Sequence, residues 1–215
     1  MKIKNIIISL IIFSLLGIFL SFIPVWGWFF DFFHSDTALV SQLLVTTPRS
    51  SATIYIDGKL KGKTEADKQF TISNIGRGNH NIKIDRISDP DHFYIPFEKN
   101  LDFVPSTAVQ INWSAGPSVE SSSGFIKYFK KQIEDSSTKA RISVYPSDSS
   151  ITVDSAYSNG EYIINDIKSH KIVIGKTNYF GQDINILMTK SNGERIVGYD
   201  LIVEVYLYKN PIPDV

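Results

Sequence analysis

The amino-terminal part of the chain contains a long run without charged side chains, from Asn5 to Phe30. Thirteen of the seventeen residues in Ile6–Phe22 are Ile, Leu or Phe. A bilayer core of about 30 Å needs roughly 20 apolar residues in a helix, which rises about 1.5 Å per residue. The run therefore predicts a transmembrane helix and restricts where the rest of the chain can be.

The charges that flank this run predict its orientation. Lys2 and Lys4 precede it and Asp31 follows it. Because basic residues stay on the cytoplasmic side, we expect residues 1–4 to be a cytoplasmic tail and residues 5–33 to be a signal anchor in the lipid bilayer. A cleaved signal peptide is the alternative, but its apolar region usually has only about 7–15 residues and ends at a small-residue cleavage site. The bulk of the protein should then be extracytoplasmic, anchored in the cell membrane by a single pass.

Charge and cysteine content exclude several classes of function. The first 30 positions hold two of the 22 basic residues and none of the 22 acidic ones, so the remainder is slightly acidic. Nucleic-acid-binding domains are usually basic, and we expect no nucleic-acid partner. Cysteine is absent, which excludes disulfides, thiolate metal sites, cysteine nucleophiles and lipid attachment to cysteine.

Beyond residue 40 the pattern changes to short alternating runs separated by Gly, Pro, Ser, Asn and Asp. Ile54 and Ile56 alternate with Tyr55 and Asp57, and Leu201–Leu207 alternates in the same way. Such alternation is typical of strands with one buried face. The fold class we expect is all-β, preceded by the transmembrane helix.

The alternating runs form an internal repeat. Residues 51–57 correspond to 148–154, residues 70–75 to 162–167, and residues 80–84 to 170–174. Differences in length fall in the connections, as surface loops tolerate. We expect two small antiparallel β-sandwich modules, at 40–114 and 139–210, that unfold independently.

The segment between the modules, residues 115–138, is rich in Ser and Gly at its start and reads as a linker. Its second part, Phe125–Glu134, places Phe125, Phe129 and Ile133 at every fourth position. This spacing is typical of the apolar stripe of a helix. We expect a short amphipathic helix that docks on one of the modules.

The first module resembles the PEGA domain family in the run Ile56–Thr64. The residues that carry the resemblance are Ile56, Asp57, Gly58, Gly62 and Thr64. Asp-Gly pairs favour tight hairpin turns, and the second glycine is expected at a further turn or a bulge where the hairpin ends. The resemblance implies a Greek-key-like sandwich that serves as an extracytoplasmic structural or binding module without catalytic residues. The second repeat keeps the His170 strand but lacks the Asp-Gly pair and the second glycine.

No catalytic or metal-binding motif is present. The four histidines, His34, His80, His92 and His170, have no spacing that suits zinc. His80 and His170 occupy matching repeat positions before a strand, which favours a shared role in a turn. We predict no catalytic, cofactor-binding or metal-binding residues.

Carboxylates cluster in one loop of the first module. Asp89 and Asp91 flank Pro90, with Asp85 upstream, which is compatible with a calcium loop. A proline turn flanked by solvated acids is the interpretation that we favour, because the spacing matches no calcium-loop pattern.

Aromatic residues could form a platform for glycan. Tyr206 and Tyr208 share one side of the last predicted strand and are the pair that we single out. Further candidates are Tyr55, Tyr94, Trp113, Tyr157 and Tyr199.

These patterns favour a membrane-anchored cell-envelope protein with two non-catalytic PEGA-like modules. Its role would be structural, or recognition of a wall polymer, a glycan or a neighbouring protein. The alternative is an accessory or sensing subunit of a larger envelope complex. An envelope hydrolase comes third, since paired carboxylates can meet in the fold without any local motif.

Overall fold

The computed structural model describes residues 40–89, 91, 93–132, 137–190 and 193–210. The predicted tail and signal anchor, residues 1–33, lie outside the described residues. Within the described part of the chain, no helix has the length and apolarity needed to cross a bilayer. The described residues belong to one compact unit.

The described chain consists of strands and loops, which confirms the all-β class beyond residue 40. Fifteen strands are present in the described residues: β1 (Val40–Thr46), β2 (Ala52–Ile56), β3 (Lys59–Lys63), β4 (Gln69–Gly76), β5 (Gly78–Arg86), β6 (Phe97–Phe103), β7 (Ala108–Ser114), β8 (Ser123–Lys131), β9 (Lys139–Tyr145), β10 (Ser150–Val153), β11 (Ala156–Tyr157), β12 (Glu161–Ile163), β13 (His170–Gly175), β14 (Gln182–Ile186) and β15 (Tyr199–Tyr206).

The internal repeat of the sequence has a structural counterpart in the strand order. Strands β1–β7 form a four-stranded sheet in the order β3-β2-β5-β6 and a second layer β4-β1-β7. Strands β9–β15 form a sheet in the order β11-β10-β13-β14 and a layer β12-β9-β15. Strand β7 ends at Ser114 and β9 begins at Lys139.

Strand β8 joins the two layers into one seven-stranded sheet with the order β12-β9-β15-β8-β7-β1-β4. It pairs antiparallel with both β7 and β15, and its Ile126 lies opposite Ile111 and Glu204. The short helix predicted at Phe125–Glu134 is therefore wrong over the described residues, which form β8. The linker region supplies the central strand of the sheet.

The apolar spacing of β8 resembles that of a helix because both faces of the strand are buried. Phe125 and Phe129 contribute to the core of the second repeat, whereas Ile126 contributes to the core of the first. Strands covered on both faces do not show simple alternation, and a short apolar run cannot be assigned by periodicity alone.

The two small sheets cover opposite faces of the seven-stranded sheet. Leu43 and Ile111 point into the first core, and Val144 and Val203 point into the second. The register across β8 places these two sets on opposite sides. This arrangement corresponds to an approximate two-fold rotation about the direction of β8.

The large sheet is mixed, and the prediction of purely antiparallel modules was wrong in this respect. β1 is parallel to β7, and β9 is parallel to β15. Each parallel pair joins the first and last strands of a repeat, so the intervening strands provide the long crossover that parallel pairing requires. Side-chain alternation does not report strand direction, which explains why the sequence did not reveal it.

Polar contacts tie both faces of β8 to their neighbours. On one face, the Tyr128 hydroxyl donates to Glu204 Oε1 at 3.1 Å, and Lys99 of β6 forms an ion pair with the same carboxylate. On the other face, Lys127 Nζ donates to the carbonyl oxygen of Asn185 at 2.7 Å. Burial lowers the pKa of Lys127 to about 8. The Lys99–Glu204 pair links the two repeats, since β6 belongs to the first and β15 to the second.

Because β8 serves both cores, we expect an Ile126→Ala substitution to destabilise both repeats together. Ile126 is fully buried, and truncation of a buried isoleucine costs about 2–5 kcal/mol. Amide hydrogen exchange should accelerate in β5 and β13 to a similar extent. Ile163→Ala, at a residue 52% exposed, is the matched control and should leave both strands protected. Faster exchange in β5 alone would show that the repeats unfold independently, as the sequence analysis expected.

Candidate functional site

The hairpin turn of the first repeat contains three of the residues that carry the family resemblance. Ile56 is buried at the end of β2, and Asp57 and Gly58 follow with φ values of 52° and 73°. Two successive positive φ values are characteristic of the tight turns that join antiparallel strands. The Asp57 carboxylate accepts a hydrogen bond from the Asn81 amide at 2.9 Å and contacts His80 Nδ1 at 2.7 Å. The turn is thereby fastened to β5.

The second repeat contains the same turn with different residues. Asp154 and Ser155 have φ values of 48° and 69°. The Asp154 carboxylate accepts from the Lys171 amide at 2.9 Å and contacts His170 Nδ1 at 2.6 Å. The shared turn role of the two histidines is therefore confirmed. Serine takes the place of glycine with a left-handed backbone, which is why the sequence seemed to lack the Asp-Gly feature.

The second histidine is held more strongly than the first. His170 Nε2 lies 2.9 Å from Asp166 Oδ1, whereas His80 Nε2 lies 3.1 Å from the carbonyl oxygen of Gly76. Burial of His170 opposes its charged form, but the hydrogen bonds to Asp154 and Asp166 outweigh burial and raise its pKa. The buried imidazole of His170 thus lies between two carboxylates next to the second turn.

Gly62 and Thr64 have structural roles beside the first turn. The pairing of β2 with β3 shifts register next to Gly62, as the predicted bulge requires. A β carbon at Gly62 would lie 2.5 Å from the Phe70 ring, so a larger residue here would have to displace that ring. Thr64 is buried, and its hydroxyl oxygen accepts from the Ala52 amide at 2.9 Å and lies 2.6 Å from Thr47 Oγ1.

The acidic loop of the first module forms a turn. Both oxygens of the buried Asp89 carboxylate accept backbone amides, from Phe93 and Tyr94, each at 2.7 Å. Asp85 pairs with Lys83 at 3.3 Å. These contacts favour the turn over the calcium loop. No group of three or more potential metal ligands occurs among the described residues, which do not include His34 and His92.

A cleft with a volume of about 900 Å³ lies where loops of both repeats meet the β7–β8 connection. Its walls come from the β1–β2 loop, the β5–β6 loop, the β13–β14 loop and the segment after β15. The side chains most relevant to binding are Arg49, Arg86, Phe93, Tyr94, Phe180 and Tyr208. Ligand sites usually have volumes of about 300–1,000 Å³ and combine aromatic with a few polar groups. This cleft is therefore the candidate functional site.

The charge of the cleft is positive. Arg49 and Arg86 are the charged residues among its described lining. The Arg86 guanidinium lies 4.0 Å from the centre of the Tyr94 ring. Its Nε is buried and has no hydrogen-bond partner among the described residues. An unpaired buried donor costs about 1–3 kcal/mol, so the arrangement can be stabilised by an acceptor in the cleft.

Tyr206 and Tyr208 do not share one platform, because each ring has different partners. Tyr206 stacks on Tyr145 with ring centres 5.0 Å apart and meets Trp113 edge-on at 5.1 Å. Burial and Glu204 raise the pKa of Tyr206 to about 12. Tyr208 stacks on Phe180 at 6.0 Å and lines the cleft.

The other aromatic candidates are dispersed. Tyr94 lines the cleft, Trp113 is buried in the first core, and Tyr199 packs against the second core. Tyr157 is 79% exposed on β11, and Tyr55 is partly buried on β2.

Sequence reasoning missed four residues of the cleft, namely Arg49, Arg86, Phe93 and Phe180. Phe93 is 62% and Phe180 is 55% exposed. Both phenylalanines lie outside the alternating runs, in segments rich in Pro, Asp, Asn and Gly, where a large apolar residue has no core to join. A phenylalanine in such a loop segment is the sequence feature that could have indicated an exposed binding residue.

No protein-family model, curated protein or solved structure matches this chain.

The carboxylates around His170 should make the second repeat sensitive to pH. His170 retains its proton to higher pH in the folded protein than in the unfolded chain. Its contribution to the free energy of unfolding is therefore complete below about pH 6.5 and is lost as pH rises through the raised pKa. We expect the urea midpoint to fall over this range. His170→Gln should flatten this slope and destabilise the protein at pH 6 by roughly 1–3 kcal/mol.

Lys168→Gln is the control for this prediction, because it removes a nearby exposed cation and leaves His170 in place. It should retain the slope between pH 6 and 9. An unchanged slope in His170→Gln would assign the pH dependence to another group.

Proposed function

We propose that this chain is a single-pass membrane protein of the cell envelope whose two PEGA-like modules perform non-catalytic recognition outside the membrane. The uncharged run Asn5–Phe30, preceded by Lys2 and Lys4, supports the anchor and its orientation. The resemblance of Ile56–Thr64 to the PEGA family supports the extracytoplasmic role. The target is a wall polymer, a glycan or a neighbouring envelope protein.

The cleft between the repeats is the observation that carries the recognition role. Its walls come from separate loops on a sheet that β8 makes continuous, so the exposed rings are presented by a rigid scaffold. Exposed aromatic rings next to polar groups are typical of binding surfaces. A purely structural module would not require Phe93 and Phe180 to be exposed.

The anchor can be tested in membranes from cells that express the full chain. We expect the protein to remain in the pellet after carbonate extraction, because the apolar run stays in lipid. Protease added to intact spheroplasts should digest residues 40–210. Release by carbonate together with a mature amino terminus near residue 28 would instead show a cleaved signal peptide.

Recognition can be tested by sedimentation of the detergent-solubilised full chain with purified wall polymer of the host. We expect co-sedimentation with the polymer, and we expect Phe180→Ala to weaken it about tenfold, as is common for an aromatic anchor. Tyr157→Ala is the matched control, since Tyr157 is also exposed but does not line the cleft.

Equal retention of Phe180→Ala and Tyr157→Ala by the polymer would show that the cleft is not the recognition site. Turnover of the polymer by the wild-type protein would favour a hydrolase. Absence of any retention would contradict polymer recognition.

A second candidate function is that of a subunit in a larger envelope complex. The stacked pair of Tyr145, which is 55% exposed, and Tyr206 favours it. This pair lies on the face of β9 and β15 that the second small sheet leaves uncovered. A stoichiometric protein partner after crosslinking in membranes, lost in Tyr145→Ala, would support this role.

A further inference from the structure

The charge distribution in the cleft narrows the class of ligand. Arg49 and Arg86 supply two positive charges, and the described lining contains no acidic side chain to neutralise them. The remaining polar lining consists of neutral groups such as Asn112 and Gln182. A ligand with negative charge is therefore favoured over a neutral or cationic one.

Arg86 is positioned as a binding group. Its guanidinium stacks on Tyr94 at 4.0 Å, and its buried Nε has no partner in the described chain. The backbone of Tyr94 is in turn fixed by the Asp89 carboxylate at 2.7 Å. The contact with the Tyr94 ring restricts the guanidinium, and guanidinium groups suit the oxygens of carboxylate or phosphate.

The aromatic rings indicate what carries the charge. Phe93 is in edge contact with Tyr94 at 5.3 Å, and Phe180 stacks on Tyr208 at 6.0 Å. Each pair leaves its phenylalanine mostly exposed. The C–H face of a sugar ring packs on such surfaces, because aromatic faces carry partial negative charge. The neutral amides and hydroxyls between the rings can bind sugar hydroxyls.

We propose that the cleft binds an acidic glycan whose sugar rings pack on Phe93 and Phe180 and whose carboxylate or phosphate groups pair with Arg86 and Arg49. This inference rests on the proposed recognition function and specifies the ligand of the same cleft. Arg86 is the fixed anion contact, and the exposed Arg49 supplies the second charge at the cleft rim.

The test is calorimetric titration of the detergent-solubilised full chain with three probes. Oligogalacturonate carries free carboxylates, its methyl ester has the same sugar backbone without charge, and a phosphomannan oligosaccharide carries phosphate on its sugar rings. We expect at least one anionic probe to bind about tenfold or more tightly than the methyl ester. The anionic probe that binds identifies carboxylate or phosphate as the recognised group.

Arginine variants locate the charge contact. Arg49→Gln and Arg86→Gln should each lower the affinity for the anionic probe about fivefold or more and leave the affinity for the methyl ester unchanged. Arg77→Gln is the matched control, because Arg77 is exposed and does not line the cleft. If Arg86→Gln misfolds, Arg49→Gln still tests the inference, because Arg49 lies on the surface and its loss should not disturb the Arg86–Tyr94 contact.

Two results would overturn the inference. Equal affinity for the acid and its ester would show that charge is not recognised, and unchanged binding in both arginine variants would place the anion elsewhere. If wall polymer is nevertheless retained in a manner that depends on Phe180, the recognition function stands and only the acidic ligand class is wrong. Failure of all probes together with failure of polymer retention would overturn both.

Discussion

The hydrogen bonds on both edges of β8 hold the two repeats together. Without this strand, β7 and β15 would each be an open edge of a sheet, and each core would lose the side chains that β8 contributes to it. Phe125 and Phe129 fill one core while Ile126 fills the other, so one strand is buried on both faces. Small modules of about 70 residues bury a limited fraction of their surface, and a common strand increases the burial available to both.

Much of the fold could be predicted from the sequence because several strands, among them β2, β9 and β13, alternate buried with less buried residues. Ile54 and Ile56 therefore revealed β2, and the Asp57-Gly58 pair revealed its turn. The pattern was misleading at Phe125–Glu134, where burial on two faces imitates helical spacing. The parallel pairs were also hidden, since pairing direction depends on the path of the whole repeat.

The candidate site was less predictable than the fold. Asp57 and Asp154 form equivalent contacts with histidine although their following residues differ. The repeat alignment predicted a shared turn role for the two histidines but not these contacts. The cleft instead combines loops that are distant in sequence, and its key residues lie in the segments with the least periodic pattern. Tyr208 was recognised as a candidate, but its ring partner, Phe180, could be identified only from the fold.

The central position of β8 has a consequence for biosynthesis. Translation delivers β8 directly after β7, so their hairpin can close early, but the other edge of β8 must wait for β15. At about 5–20 residues per second the intervening strands take on the order of several seconds to emerge. Exposed edges recruit strands from other chains. Chains translocated side by side are therefore at risk of pairing with one another, and a chaperone outside the membrane that shields this edge would raise the yield of correctly assembled protein.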